Sequence, residues 1–253
     1  MAIALSVNLN KIALLRNSRD GNFPDPLHFG RRCLELGAKG LTVHPRPDQR
    51  HIRVTDTQSI AALVREFPHC EYNMEGNPFS SPMDSYPGFL HLVELAQPHQ
   101  CTLVPDSNNQ LTSDHGFNLI NEGEKLAPIL DALRLQGIRS CLFMDPDQEQ
   151  IQLAKDIGAD RIELYTGPYA LCFRRNDAKL DAVFDRYYQA AAFANSIGLG
   201  VNAGHDLDLN NLPRFATTPG LLEVSIGHAL TVDALEKGWA KTITAYLDIC
   251  NKS

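Results

Sequence analysis

The chain has 253 residues, 43% of them apolar and 21% charged, with 17 Gly, 15 Pro and 6 Cys. Those proportions are globular, and they exclude a disordered chain, a collagen-like repeat and a disulfide-stapled miniprotein. The 23 Lys and Arg stand against 30 Asp and Glu, a formal charge of -7 with no basic run, so neither nucleic acid nor an anionic membrane is an expected partner.

The longest apolar stretches, such as Ala2 to Val7 and Leu41 to Val43, fall far below the roughly 18 to 20 residues that span a bilayer. The first Lys is at position 11, with no basic n-region or small-residue cleavage site before it, which points to the cytoplasm. There, Cys33, Cys70, Cys101, Cys141, Cys172 and Cys250, scattered without a CxxC pair, are expected to be reduced and mostly buried.

In chain order, short β-type runs are predicted at Ala4 to Asn8, Gly40 to His44, Glu71 to Glu75, Thr102 to Pro105, Ser140 to Asp145, Arg161 to Thr166, Gly200 to Ala203 and Leu222 to Ile226. Amphipathic stretches lie between them at Pro26 to Leu36, Asp56 to Glu66, Glu122 to Leu135, Gln148 to Asp156, Leu180 to Ser196 and Thr231 to Ile249. Most end at a glycine such as Gly37, Gly137, Gly158 or Gly198. ELGAKGLTVH, DIGADRIELYTG and SIGLGVNAG each run helix end, glycine, strand, a weak internal repeat of one βα unit. Eight such units in about 250 residues predict one closed (β/α)8 TIM barrel over residues 1–253, since right-handed crossovers bring parallel strands round to meet. An open doubly wound sheet is the alternative, but no GxGxxG follows the first strand and no GxxxxGK[ST] occurs.

In a barrel the chemistry sits where strands end and βα loops begin. The strand ends here supply Asn8, Asn10, Lys11, His44, Arg46, Glu75, Asp106, Asp145, Glu163, Tyr165, Asn202, His205, Gly227 and His228. A single polar strand end is ordinarily a capped loop residue, whereas this collection of His, Glu, Lys and Arg reads as an acid/base site. His44, Glu75 and His205 are the leading proton-transfer candidates. Imidazole titrates near neutrality, and a carboxylate among apolar barrel walls is raised toward it. His69, His91, His99 and His115 have no patterned neighbour and read as solvated or core histidines. Neither HxH at the first strand nor HExxH occurs, and Arg46 beside His44 would repel a cation, so no metal is expected.

Two places suggest phosphate recognition. Arg16 and Arg19 in LRNSRDG are able to form a fork for phosphate oxygens, the alternative being that one of them pairs with a surface carboxylate. The NAGHD and SIGHA turns, Asn202 to Asp206 and Ser225 to Ala229, allow close backbone approach at the mouth of strands seven and eight. The Pro- and Ser-rich stretch Asn77 to Gly88 is predicted as a loop on the same face. Lys11 admits a second chemistry, a Schiff base with a carbonyl substrate.

VNLNKIALLRNSR, GLTVHPRPDQRHI, YNMEGN, LVPD, IELYTG, VNAGH and SIGHA, in that order and each at a predicted strand end, resemble the successive motifs of the PdxJ family of pyridoxine 5′-phosphate synthases. The resemblance implies a cofactor-independent, octameric barrel enzyme. It would condense 3-amino-2-oxopropyl phosphate with 1-deoxy-D-xylulose 5-phosphate, giving pyridoxine 5′-phosphate, phosphate and water. It implies that His44 and Glu75 accept protons, that His205 donates one and that Glu163 stabilises a transition state. It further assigns Asn8, Arg19, Asp206, Gly227 and His228 to the aminoketone phosphate, and Asn10, Lys11, Arg46, His51 and Thr112 to the deoxyxylulose phosphate. The better-known members carry Asp-His at Asn10-Lys11, Gly at Asp206 and His at Tyr165. The 77–88 loop is also longer than is usual there.

Overall fold

The computed structural model describes residues 2–252. Eight strands, β1 (Ala4–Asn8), β2 (Gly40–Val43), β3 (Glu71–Gly76), β4 (Gln100–Leu103), β5 (Arg139–Met144), β6 (Arg161–Tyr165), β7 (Gly200–Gly204) and β8 (Leu221–Ile226), pair in parallel and in sequence order into a closed barrel. Closure is made by β1 against β8, with Val7 opposite Ile226. The helices are α1 (Asn10–Asn17), α2 (Pro26–Glu35), α3 (Val54–Arg65), α4 (Phe89–Ala96), α5 (Leu119–Leu135), α6 (Gln148–Asp156), α7 (Gly167–Arg174), α8 (Leu180–Ser196), α9 (Leu212–Phe215), α10 (His228–Lys237) and α11 (Trp239–Asn251). None among the described residues is long and apolar enough to cross a membrane.

Local chemistry sets the helix starts. Asp25 precedes Pro26 and its carboxylate accepts the Leu27 amide at 3.0 Å, while Asp147 accepts the amides of Glu149 and Gln150 at 2.9 and 3.2 Å. These side-chain acceptors satisfy amides that an α-helix leaves open at its first turn. The stretch predicted as one helix from Thr231 to Ile249 is two, because Gly238, at φ +82°, turns the chain between α10 and α11.

Strand alternation partitions the barrel into two chemistries. Leu5, Val7, Leu41, Val43, Met74, Leu103, Leu142, Met144, Ile162, Leu164, Val201 and Val224 are fully buried and belong to one apolar cluster with helix residues such as Ile60, Leu63, Leu126 and Leu130. Each such side chain removed from water stabilises the fold by roughly 1.5–3 kcal/mol. The core is therefore the annulus between barrel and helices.

The lumen is polar, contrary to the apolar walls expected for the carboxylates. Ser6 and Thr42 hydroxyls lie 2.7 Å apart, and Thr102 donates to Asn73 at 3.0 Å. Asn202 donates to Gln100 at 3.2 Å and accepts from Arg161 at 3.1 Å. Gln100 donates to Glu223 at 3.4 Å. Buried polar groups are tolerated here because they satisfy one another.

Candidate active site

The side of the mouth formed by β1, β2 and β3 is fixed by two asparagines. The Asn10 amide donates to Asn8 Oδ1 at 3.0 Å, and the His44 amide donates to Asn10 Oδ1 at 2.9 Å. Together they tie the start of α1 to the end of β2. Asn8 also donates to Glu75 Oε2 at 3.3 Å, and Ser225 donates to Glu75 Oε1 at 3.2 Å. The His44 ring sits between two acids, with Nδ1 3.9 Å from Glu75 and Nε2 3.7 Å from Asp106.

Burial dominates the electrostatics of this group. It pushes the Glu75 carboxyl up to about 8 against the Ser225 hydroxyl, with the nearby acids Asp106 and Glu223 adding to the rise. Burial, reinforced by Arg46 and Arg50, pushes His44 down to about 3. His44 is thus a neutral imidazole in water near pH 7, and Glu75 holds a proton that it is able to release and recover. Deeper in the lumen, burial and the charges of Glu75 and Glu223 hold Glu163 well above the usual carboxylate range.

The opposite wall is formed by β6 and β7. Thr112, on the loop between β4 and α5, reaches across the mouth to bring its hydroxyl 2.9 Å from His205 Nε2. The Tyr165 ring meets His205 edge-on at 5.2 Å and Phe143 at 5.5 Å. Asp206 Oδ2 lies 3.7 Å from His205 Nδ1 and accepts from Arg174 at 3.1 Å.

Arg46 is buried and three of its five N–H donors are engaged. It pairs with Asp106 at 2.8 Å and donates to the carbonyls of Ser107 and Gln110 at 2.9 and 2.8 Å. Arg50 adds contacts to the carbonyls of Gln110 and Leu111 at 3.2 and 3.3 Å, so two arginines strap the Thr112 loop over the mouth. His51 is buried, and its Nδ1 accepts the Ile52 amide at 2.9 Å. Burial, with His44, Arg46 and Lys11 adding, pushes His51 down to about 2. Lys11, half-buried, also depresses His228, after burial, so its charge bears on both histidines. Gly227 precedes α10 without a side-chain cap, leaving open amides beside Asn8, whose strand pairs with β8.

Other predicted positions lie elsewhere. The Arg16/Arg19 fork does not form: Leu15 to Asn17 is the last turn of α1, and Arg16 is fully buried, donating to both Asp56 oxygens at 2.7 and 2.8 Å and to the His51 carbonyl at 2.9 Å. Arg19 is exposed on the loop after α1, lining a recess of about 810 Å³ with Asn17, Ser18, Asp20, Gly21, Asn22 and Arg53; Asn17 in turn donates to the carbonyls of Gln49, Arg50 and His51. Asn202 belongs to the lumen network, and Asp145 accepts the Gly116 amide at 3.2 Å. The 77–88 loop forms part of the rim, where Asn77 donates to the Asp106 carbonyl at 2.6 Å and Gln49 to Ser85 at 2.7 Å. His91 and His115 are solvent-exposed, and His99 accepts the Tyr72 amide at 3.0 Å. Among the described residues, no group of three or more His, Cys, Asp or Glu is placed to hold a metal ion.

Sequence reasoning missed Arg50 and Arg174. Arg50 stands inside the GLTVHPRPDQRHI motif, a signal that went unused, whereas Arg174 ends α7, a helix with no predicted counterpart.

A profile of the pyridoxal phosphate biosynthesis protein PdxJ matches residues 5–252. The chain belongs to the PdxJ family. Its relatives include a pyridoxine 5′-phosphate synthase of Xanthomonas oryzae pv. oryzae, 50% identical over 100% of this chain and 98% of that protein. Another bears the same name in Xylella fastidiosa, 49% identical over 97% and 94%. Among solved structures, 3-keto-L-gulonate-6-phosphate decarboxylase from Vibrio cholerae superposes with a TM-score of 0.64 at 10% identity, covering 100% of this chain and 99% of that one. A 3-hexulose-6-phosphate synthase gives 0.59 at 12% identity, with 98% and 99% covered. These two likenesses concern the barrel fold. PdxJ membership joins the site to an enzyme family.

Proposed function

We propose that this PdxJ-family barrel condenses 3-amino-2-oxopropyl phosphate with 1-deoxy-D-xylulose 5-phosphate, releasing pyridoxine 5′-phosphate, phosphate and water, and that the chain works as one domain in the cytoplasm. The observation that carries the reading is the convergence of a neutral His44 with the buried Glu75 carboxyl at the barrel mouth, above the protonated Glu163 in the lumen. Forming a ring from an amine, two carbonyls and two losses of water is a series of proton transfers. A mouth with several positioned acids and bases suits such a series, each group contributing on the order of 10²- to 10⁴-fold.

In this reading His44 and Glu75 accept protons, His205 donates one, and Glu163, kept protonated by burial, donates a hydrogen bond to developing negative charge. Asn8, Gly227, His228 and the backbone at Asp206 take the aminoketone phosphate. The open amides of α10 favour an anion, whereas the Asp206 carboxylate would repel one. Asn10, Lys11, Arg46, His51 and Thr112 take the deoxyxylulose phosphate, and Arg46 does so by exchanging loop carbonyls for phosphate oxygens. Arg19, exposed on the loop after α1, joins Asn8, Gly227 and His228 on the aminoketone phosphate in this reading.

Self-association into a homo-octamer completes the reading. Support comes from Leu14 and Leu15 on α1 and Val232 and Leu235 on the adjoining α10, which are apolar and 41%, 55%, 47% and 81% exposed. Native mass spectrometry would read the copy number. The catalytic test is purified protein incubated with both substrates. Pyridoxine 5′-phosphate and inorganic phosphate appearing in equal amounts support the reading, and absence of product with either substrate intact rejects it.

One observation favours a second chemistry at the same mouth. Lys11 makes no hydrogen bond or ion pair among the described residues, which leaves its amine free for an imine. Borohydride trapping with substrate would attach mass to Lys11.

A further inference from the structure

His205 and Asp206 are consecutive non-glycine residues with positive φ, +85° and +62°. Backbone of this kind is costly for residues with a Cβ and persists only where surroundings over-determine it. The surroundings here do so. Thr166 donates its hydroxyl to the carbonyls of Gly204, at 2.6 Å, and His205. Asn211 donates to the Asp206 carbonyl at 3.0 Å. Arg174 reaches from the end of α7 to Asp206 Oδ2.

The strained pair aims two side chains at each other. His205 Nδ1 is buried with no hydrogen-bond partner, and the nearest acid is Asp206, 3.7 Å away. The opposite nitrogen, Nε2, faces the Thr112 hydroxyl across the mouth. The imidazole and the Arg174 guanidinium hold the Asp206 carboxyl down to about 2, so this neighbour is an anion that only accepts hydrogen bonds. At 3.7 Å the anion makes no hydrogen bond, but its charge favours the tautomer with its proton on Nδ1, which leaves Nε2 as the nitrogen that exchanges protons with the mouth.

We propose that Asp206 is a positioning residue for His205: its carboxylate, steadied by Arg174, orients the imidazole and supports the positive charge the ring carries before it gives up a proton from Nε2. The inference rests on the functional reading above, in which His205 is the proton donor. It assigns the Asp206 side chain to the histidine and leaves the phosphate to the backbone.

The test compares Asp206→Gly and Asp206→Asn with wild type, measuring kcat, KM for each phosphorylated substrate and melting temperature. Asp206→Gly removes the carboxylate and relieves the backbone. The expected result is a 10- to 100-fold lower kcat, the scale of a misplaced catalytic group, with both KM values within about two-fold and no loss of melting temperature. Asp206→Asn keeps the shape and tolerates a left-handed backbone, and it is expected to lose kcat as well, because a neutral amide does not support an imidazolium. Retained kcat in either variant overturns the proposal. A rise in KM confined to the aminoketone phosphate would make the side chain a ligand, and a kcat loss matched by a lower melting temperature would make it structural; both overturn it. Wild-type turnover is measured alongside, so a wild type without product counts against the functional reading, and a retained kcat in the variants counts against the positioning role alone.

Discussion

A Cβ built on Gly204 would stand 2.2 Å from Oε1 of Glu163 and 3.2 Å from the Ser225 carbonyl. The buried acid therefore occupies space that β7 vacates by ending in glycine. Gly204→Ala is expected to drive the Glu163 carboxyl off its position, because backbone on the other side leaves no room to yield. Turnover should fall by about 10², with stability lowered by roughly 1–3 kcal/mol for the overpacked site. Kinetics and urea unfolding check both, and a variant with wild-type turnover would show that the exact seat of Glu163 is unimportant.

Glu75→Gln keeps the side chain's shape and its contacts with Asn8 and Ser225 while removing the exchangeable acid. Turnover is expected to fall at least ~10²-fold with KM nearly unchanged. The same residue makes a stability prediction. Its folded value of about 8 lies above the ordinary 4.5, so between those limits the folded chain holds a proton that the unfolded chain has lost. Stability from this group is complete below about 4.5 and disappears as pH rises through 8. Melting temperature should drop over that window in wild type and drop less in Glu75→Gln. Asp206, held at about 2, runs the other way and loses its contribution as the solution is acidified through that value.

Arg16 carries a prediction about folding alone. Its guanidinium is completely buried and forks onto Asp56, whose side chain is 15% exposed. Arg16→Ala strands that carboxylate beside a cavity and opens the His51 carbonyl contact, which should cost about 3–5 kcal/mol. Urea denaturation reads the loss. A variant of wild-type stability that fails only in phosphate binding would return Arg16 to the substrate.

For Lys11 the acid/base reading predicts turnover falling in the order lysine, arginine, alanine, since Lys11→Arg keeps charge and donors with altered geometry. An imine mechanism predicts that Lys11→Arg and Lys11→Ala are equally inactive and that borohydride labels wild type only. The two patterns do not overlap.

All eight strands were legible in the sequence because each outward face is apolar, mostly Leu, Val, Ile or Met with Tyr72, Cys101 and Ala203 among them, and is bounded by turn residues. Their starts were harder to place. β4 begins at Gln100 and β5 at Arg139, polar residues that read as loop until the lumen partners Asn202, Glu223 and Glu71 are seen. Helices α1, α4 and α7 have eight residues each, too short for periodicity to stand out. Strand-end logic reached His44, Glu75, Glu163, Tyr165 and His205, because a strand end in a barrel is a fixed address. Arg16 was misjudged for the opposite reason: a helix residue's burial depends on what packs over it, and Asp56 is 40 residues away.

The division between an oily annulus and a wet lumen separates two kinds of mutational risk. Residues that hold the barrel shut point away from substrate, so a change inside the lumen disturbs hydrogen bonds and charges while the apolar scaffold stays intact. A change at an inward position such as Tyr165 is then free to retune chemistry without competing with the packing that keeps the enzyme folded. Barrels whose lumens are filled with branched apolar side chains have less of this freedom, since their innermost positions serve stability first. The architecture described here gives reactivity and stability separate addresses on the same strand, one residue apart.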